Sequence, residues 1–422
     1  MKLSLKNIGM IKEATVEING ITVIAGENNT GKSTVGKALF SIFNSFYNIE
    51  EQIKKERIQI IGNLLALMYR NITNRLTSRV DFEDIAANII DNSEKYLSDK
   101  EALKHETLSS ISQYDENFGK YFSNDNILEM CTRITEILKV SNDDIFRTVL
   151  SNKLDAEFSG QVNDLFSEQI GEIDLQIKDT VVSIIVSGNM AKIIENRVDL
   201  KTEVIYIDDP FVIDEVRNTY SLVSKYNIDH KFHLARKLIS GKDDSKVIDE
   251  IIATNKLENI YEKLNSVCSG DVVRTRRTGF GYRKNNNDKV LDVRNLSSGL
   301  KTFIILKSLL VNGSLVYNGT IILDEPEIHL HPEWQLLFAE LIILIQKEFS
   351  MHILLNTHSP YFLRAIQVYS AEYEIADKCK YYLSELKDEK AYIIDVSNDL
   401  EQIYKKLSYP LQKLEDKRWI DD

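Results

Sequence analysis

Gly26, Gly31, Lys32 and Ser33 stand in the spacing Gly-x4-Gly-Lys-Ser, with Asn28, Asn29 and Thr30 inside the loop and Thr34 just after it. This is chemistry for a polyphosphate. The glycines let backbone N–H groups turn inward around a β-phosphate, and a helix beginning there adds its partial positive charge. Lys32 is placed to neutralise β/γ oxygens, and the Ser33 hydroxyl is a hard ligand suited to Mg²⁺. A second group lies far along the chain, where Thr320-Ile321-Ile322-Leu323 runs into Asp324 and Glu325. Two carboxylates at the C-terminal end of an apolar strand occupy the edge where open parallel sheets bind their ligands. Asp324 is expected to hold Mg²⁺ through water, and Glu325 to orient and polarise the attacking water, because phosphoryl transfer is mostly positioning and charge stabilisation.

These residues need strands and helices to hold them. Leu3–Ile8, Ala14–Ile18 and Ile21–Ala25 read as short strands, and the stretch from Thr34 to about Phe46 reads as an amphipathic helix, so the glycine loop sits between strand and helix. From about Tyr47 to Asp199 the pattern reads as long helical periods broken by polar turns. Strand character returns at Val204–Ile207, and helices are expected over about 212–266. Val272–Tyr282 and Lys289–Val293 read as two strands around Asn285–Asp288, followed by a helix over Leu300–Val311. Thr320–Leu323, His352–Asn356 and Ala391–Asp395 complete the expected strands. Tyr220–His233 and Leu400–Leu414 read as amphipathic helices that pack on the core. The expected organisation is α/β, with an N-terminal lobe at 1–46, a helical insertion at 47–199 and a C-terminal lobe at 200–422.

Composition narrows the class. With 43% hydrophobic and 27% charged residues, and few Gly or Pro, the chain reads as globular rather than collagen-like or disordered. A formal charge of −12 argues against a surface coated for non-specific nucleic-acid binding and confines any such contact to a local patch. The basic candidates are Arg274, Arg276, Arg277, Arg283, Lys284 and Lys289, around the two strands before Leu296. Cys131, Cys268 and Cys379 are odd in number and widely spaced, so neither a disulfide framework nor a cysteine zinc site is indicated. The N-terminus lacks a secretory signal pattern and no apolar run reaches membrane-span length, so a cytoplasmic location away from the membrane is expected.

The phosphate loop, Leu296-Ser297-Ser298-Gly299, Leu323-Asp324-Glu325-Pro326 and Asn356-Thr357-His358-Ser359-Pro360 together resemble, in type and order, the ABC-type P-loop ATPase heads of the RecF, SMC and OLD-like families. The run Glu325–Pro332 is similar to the OLD-like and PtuA-like ATPases of bacterial antiviral defence. The resemblance covers about 1–46 and 200–400. It implies an ABC-type P-loop NTPase head with a large helical insertion, ATP and Mg²⁺ as cofactors, and a homodimer or higher oligomer formed through the heads. Ser297 and Gly299 would then cap the γ-phosphate of ATP on the opposite subunit, and His358 would sense that phosphate as a switch histidine. Ser298 and Leu300 depart from the usual signature.

By the same comparison His331 falls at the D-loop position. His329 and His331 also form an HxH pair, for which the neighbouring sequence supplies no third metal ligand. Asp208 and Asp209 stand where a Q-loop would be. The spacer between Thr34 and Leu296 is too long and too helical for a transporter subunit, and the stretch after Pro360 is too short for a Toprim nuclease. Two roles follow as expectations: regulation of a separate effector, such as a nuclease, in antiviral defence, with nucleic acid contacted only in the assembled complex; or DNA repair and chromosome maintenance in the manner of RecF and SMC proteins.

Overall fold

The computed structural model describes residues 1–73, 80–115, 124–166, 169–215, 229–239, 247–275, 279–284 and 289–418. Strands β1 (Lys2–Ile8), β2 (Ile11–Glu17) and β3 (Ile21–Gly26) lead through the glycine loop into α1 (Lys32–Phe46). Five helices follow: α2 (Ile49–Thr73), α3 (Phe82–Asp91), α4 (Ser93–Ser98), α5 (Lys100–Tyr114) and α6 (Asn124–Lys139). Helix α7 (Asn142–Phe158) precedes strands β4 (Gly171–Ile177), β5 (Thr180–Ser187), β6 (Met190–Glu195) and β7 (Val204–Ile207). After the short α8 (Val212–Glu215) come α9 (His230–Ile239) and α10 (Val247–Val267), then β8 (Gly270–Thr275), β9 (Gly279–Lys284) and β10 (Val290–Asp292). The remainder is α11 (Ser298–Val311), β11 (Thr320–Asp324), α12 (Pro332–Phe349), β12 (His352–Thr357), α13 (Pro360–Glu372), β13 (Cys379–Lys387), β14 (Lys390–Asp395) and α14 (Glu401–Arg418).

Residues 1–46 and 150–422 form one compact unit and residues 47–149 another. In the larger unit the described residues make an 11-stranded mixed sheet in the order β6-β5-β4-β1-β2-β14-β13-β3-β12-β11-β7. Strands β13, β3, β12, β11 and β7 run parallel to one another, while β14 pairs antiparallel with β13. Side chains alternate across this part, as a two-residue repeat requires. Ile21, Val23 and Ala25, Ile321 and Leu323, and Ile353 and Leu355 enter the principal core with Phe303, Phe338 and Phe362 of α11–α13. Helix α1 lies over the other face, where Gly36 packs close to Tyr206 and Ile322. The smaller unit has its own core, including Ile61, Leu65, Ile85, Ile89, Leu103, Met130 and Ile134. Within it Arg57 donates to the carbonyls of Ile137, Leu138 and Val140, satisfying acceptors that the end of α6 leaves open.

The helical insertion expected over 47–199 is shorter than that span. Helices end at Phe158, and residues 171–195 form three strands that extend the head sheet beyond β1. Their physical signature is an alternation of period two: in β5, Val182, Ile184 and Val186 are buried while their neighbours are not. Density of Ile and Val mimics a helical stretch when that period is not counted, although β-branched residues favour the pleat. The expected pair of strands before the signature is likewise three strands, β8–β10. Arg276, Arg277 and the turn at 285–288 lie outside the described residues, as does most of the Tyr220–His233 stretch, whose described helix begins at His230. Strand β13 was not among the sequence expectations.

Candidate functional site

The phosphate loop is built by the sequence order strand, glycine turn, helix. All six residues of β3 are buried, so the strand ends rigidly at Gly26. Glu27, Asn28 and Asn29 are exposed at the loop apex, while Thr30, Gly31 and Lys32 are buried and Ser33 is exposed on the first turn of α1. The loop holds its shape by local bonds: Thr30 Oγ1 donates to the Glu27 carbonyl at 2.8 Å, and Ser384 Oγ of β13 donates to the Thr30 carbonyl at 2.5 Å. Gly31 has φ +85°, and an added Cβ would stand 2.9 Å from Ile11 Cγ1, so glycine is required for both conformation and space. Asn29 also takes a left-handed conformation at φ 59°, which asparagine tolerates better than most residues. Thr34 closes the turn with its N–H on the Gly31 carbonyl at 3.1 Å.

Lys32 is only 4% exposed. Its Nζ donates to the Gly26 and Glu27 carbonyls at 3.2 and 2.8 Å and lies 3.4 Å from Glu325 Oε1. Glu325 follows β11 with φ 49°, a conformation costing on the order of 1–2 kcal/mol for a residue with a Cβ. Its N–H donates to the Asn356 carbonyl at 2.9 Å, which holds the strained turn. Strain of this kind, fixed by neighbouring strands, clusters at functional positions. His358 Nδ1 lies 3.3 Å from Glu325 Oε1. That contact, and after it the Lys32 charge, hold the Glu325 carboxyl below its ordinary range despite partial burial. In return the Glu325 contact raises the His358 imidazole above its ordinary value. Strand β12 lies between β3 and β11, which sets His358, just past its end, beside Glu325 in the loop after β11.

Asp324 is buried, and both its oxygens are engaged. Tyr206 Oη donates to Oδ2 at 2.7 Å and Asn356 Nδ2 donates to Oδ1 at 2.9 Å. Neither Tyr206 nor the role of Asn356 was foreseen; the available signal was a lone polar-tipped ring in the buried run Val204–Ile207. Glu327 was missed as well. It is 2% exposed, accepts from Thr357 Oγ1, and burial pushes its carboxyl upward. Asp208 pairs with His230 and Lys231, and Asp209 with Lys231.

Lys32, Asp324, Glu325 and His358 thus converge. Ser297 and Gly299 do not join them. They line, with Ser298, His329, His331 and Trp334, a separate open pocket of about 340 Å³ to which no phosphate-loop residue contributes. Ser297 is the exposed N-cap of α11, its Oγ accepting from the Leu300 N–H at 3.4 Å. His331 precedes α12 with Pro332 at the first helical position.

The residues present fit a nucleotide and a hard divalent ion. Lys32 at the start of α1 and the loop amides suit phosphate oxygens. The Ser33 hydroxyl and the Asp324 carboxylate are oxygen donors of the kind Mg²⁺ prefers. Among the described residues no helix is long and apolar enough to cross a membrane.

No curated protein matches the chain. Among solved structures it is similar to an Smc head bound to the C-winged helix domain of ScpA, at 13% identity over 95% of this chain and 98% of the other, TM-score 0.43. It is also similar to the SMC head domain from Thermotoga maritima, at 11% identity over 94% and 98%, TM-score 0.35. A third is the Pyrococcus furiosus Smc head with an extended coiled coil bound to the C-terminal domain of ScpA, at 12% identity over 99% and 98%, TM-score 0.35. Similarity at this level is one of broad outline. The model of the AAA ATPase domain, by contrast, matches residues 1–363, a span that runs from the first strand through the phosphate loop and the Asp324–Glu325 strand to His358, and the chain therefore belongs to that family of ATP-hydrolysing P-loop proteins.

Proposed function

We propose that this ATPase hydrolyses ATP in a composite site: the phosphate loop, Asp324, Glu325 and His358 of one head, closed by Ser297 and Gly299 of a second copy. The observation that carries the reading is the pocket of Ser297, Gly299, His329 and His331, built without any residue of the phosphate loop. A signature held apart from its own nucleotide site is useful to the site of a partner, and a two-fold pair of heads would then contain two such sites.

In this reading Lys32 exchanges its contact with Glu325 for phosphate oxygens. Glu325, relieved of Lys32, orients the attacking water, and His358 follows the change in charge at Glu325. Ser33 and Asp324 would hold Mg²⁺, Asp324 through water. When bound, Mg²⁺ supplies charge neutralisation at the β/γ oxygens. Asp324, fixed on both oxygens by neighbouring strands, undergoes little reorganisation as it takes up this role, which is the economy of a preorganised site.

For the target of the engaged heads, one observation favours nucleic acid over a separate effector. Strand β9 ends in the exposed Arg283 and Lys284, and exposed Lys289 enters β10, directly upstream of the signature helix. This supports a RecF- or SMC-type role in DNA repair or chromosome maintenance, whereas nuclease regulation in antiviral defence rests on the Glu325–Pro332 resemblance. Hydrolysis measured against protein concentration tests the composite site, with a specific rate that rises with concentration as the expected result. Duplex binding with and without ATP tests the target. Tight, salt-sensitive binding only with ATP supports the nucleic-acid reading; recovery of a nuclease with no duplex binding returns the account to effector control.

A further inference from the structure

The Asp324 carboxylate is gripped from both sides. Asn356 reaches Oδ1 from β12, directly opposite in register, while Tyr206 reaches Oδ2 from β7, where its own register partner is Ile322. One hydrogen bond leaves a carboxylate free to turn about its last torsion; two, from opposite strands, do not. Each oxygen still keeps a lone pair for a further partner.

Tyr206 is itself held on every side. Its residue is 1% exposed, and a Cβ added at Gly36 of α1 would lie 3.1 Å from its Oη. The His230 ring stacks on the Tyr206 ring at 4.3 Å between centroids and 24° between planes. His230 in turn is clamped by two carboxylates. Its Nδ1 lies 2.8 Å from Glu157 Oε2, its backbone N–H donates to Glu157 Oε1, and its Nε2 lies 3.0 Å from Asp208 Oδ2. The Glu157 side chain is fully buried. One turn earlier on α7, Lys153 donates to the Asn44 carbonyl near the end of α1, the helix that opens at Lys32. Burying an imidazole between two carboxylates is costly as mere filling, since an apolar residue would pack the same space without desolvating charge. What the arrangement provides is a fixed plane for the Tyr206 ring and hence a fixed donor for Asp324.

We propose that Tyr206 is a positioning residue for Asp324, and that His230, held between Glu157 and Asp208, fixes the plane of the Tyr206 ring. The proposal rests on the reading that Asp324 holds Mg²⁺. Outer partners of metal-holding carboxylates set affinity through orientation, and their loss costs about tenfold or more.

The test compares wild type, Tyr206→Phe, His230→Gln and Asp324→Asn by calorimetric titration with ATP, with and without Mg²⁺, and by the Mg²⁺ dependence of hydrolysis at saturating ATP. Tyr206→Phe is expected to raise the half-saturating Mg²⁺ about tenfold while Mg²⁺-free ATP affinity stays at the wild-type value. His230→Gln is expected to move Mg²⁺ dependence in the same direction by a smaller factor, and carries the test if Tyr206→Phe does not fold. A wild-type Mg²⁺ requirement in the tested variant, with Asp324→Asn raised, overturns the proposal alone. Equal losses of affinity with and without Mg²⁺ also overturn it, since that is the mark of a structural role. An unchanged Mg²⁺ requirement in Asp324→Asn overturns the reading of Asp324, and the proposal with it.

Discussion

Replacing Glu325 by Gln removes a negative charge 3.4 Å from Lys32 Nζ and 3.3 Å from His358 Nδ1 while keeping the side chain's shape. A unit pair at that separation is worth about 1 kcal/mol in water and about 5 kcal/mol at an effective dielectric constant of 20. The Glu325 side chain is 24% exposed against 4% for Lys32, and solvent screening places the pair toward the lower figure, about 1–2 kcal/mol. ATP has to take Lys32 from this carboxylate. Glu325→Gln should therefore bind ATP–Mg²⁺ about 5–30-fold more tightly than wild type. Loss of the group that polarises water should at the same time slow hydrolysis by about 10²–10⁴. Equilibrium titration with a fluorescent ATP analogue gives the first quantity, and single-turnover phosphate release gives the second. Binding no tighter than wild type would refute the competition for Lys32, and hydrolysis near the wild-type rate would refute the role of Glu325.

Lys32→Ala should abolish ATP binding, read in the same titration, because Lys32 is the one cationic residue that the loop sequence Gly26–Ser33 contains. Gly31→Ala should weaken ATP binding strongly, since it forces a Cβ onto Ile11 and a conformation costing about 1–2 kcal/mol; wild-type affinity would contradict the loop geometry. Stability should fall as pH rises from about 6.5 to 8. Burial opposes charge on His230, but Asp208 and Glu157 outweigh it and raise the imidazole to about 9. A raised folded pKa gives stability that is complete below the unfolded value near 6.5 and is lost on going up through 9, roughly 2 kcal/mol by pH 8. Above pH 8 the half-buried Lys153, lowered by desolvation to about 8, works in the opposite sense, so denaturation midpoints of wild type and His230→Gln should be compared between pH 6.5 and 8, where the wild type should fall more steeply.

The catalytic half of the site was legible because its chemistry is local in sequence. A phosphate loop needs Gly26, Gly31, Lys32 and Ser33 within one turn, and an apolar run ending in Asp324-Glu325 announces both strand and carboxylates. Tyr206, Asn356 and His230 act through strand register and stacking, which join residues far apart in the chain and leave no local spacing to read. Strands β4–β6 were hidden for a different reason: their alternating Ile and Val were read at the period of the helices before them. Strand β13 is nearly all buried through Cys379–Glu385 but carries Lys380, Ser384 and Glu385, so its polar letters obscured a central position in the sheet. Its Ser384 even supports the phosphate loop, a contact that only the fold brings about.

The composite site is tested most directly by mixing two defective proteins. Lys32→Ala keeps an intact signature but lacks the phosphate-loop lysine, and Ser297→Arg keeps the loop but places bulk and charge at an exposed N-cap in the signature pocket. Each alone should be nearly inactive. Mixed in equal amounts they should regain up to roughly a quarter of the wild-type rate, because half the dimers would be mixed and each of those would hold one competent site. A mixture as silent as its parts, or Ser297→Arg hydrolysing ATP like wild type at every protein concentration, would contradict a site shared between two heads.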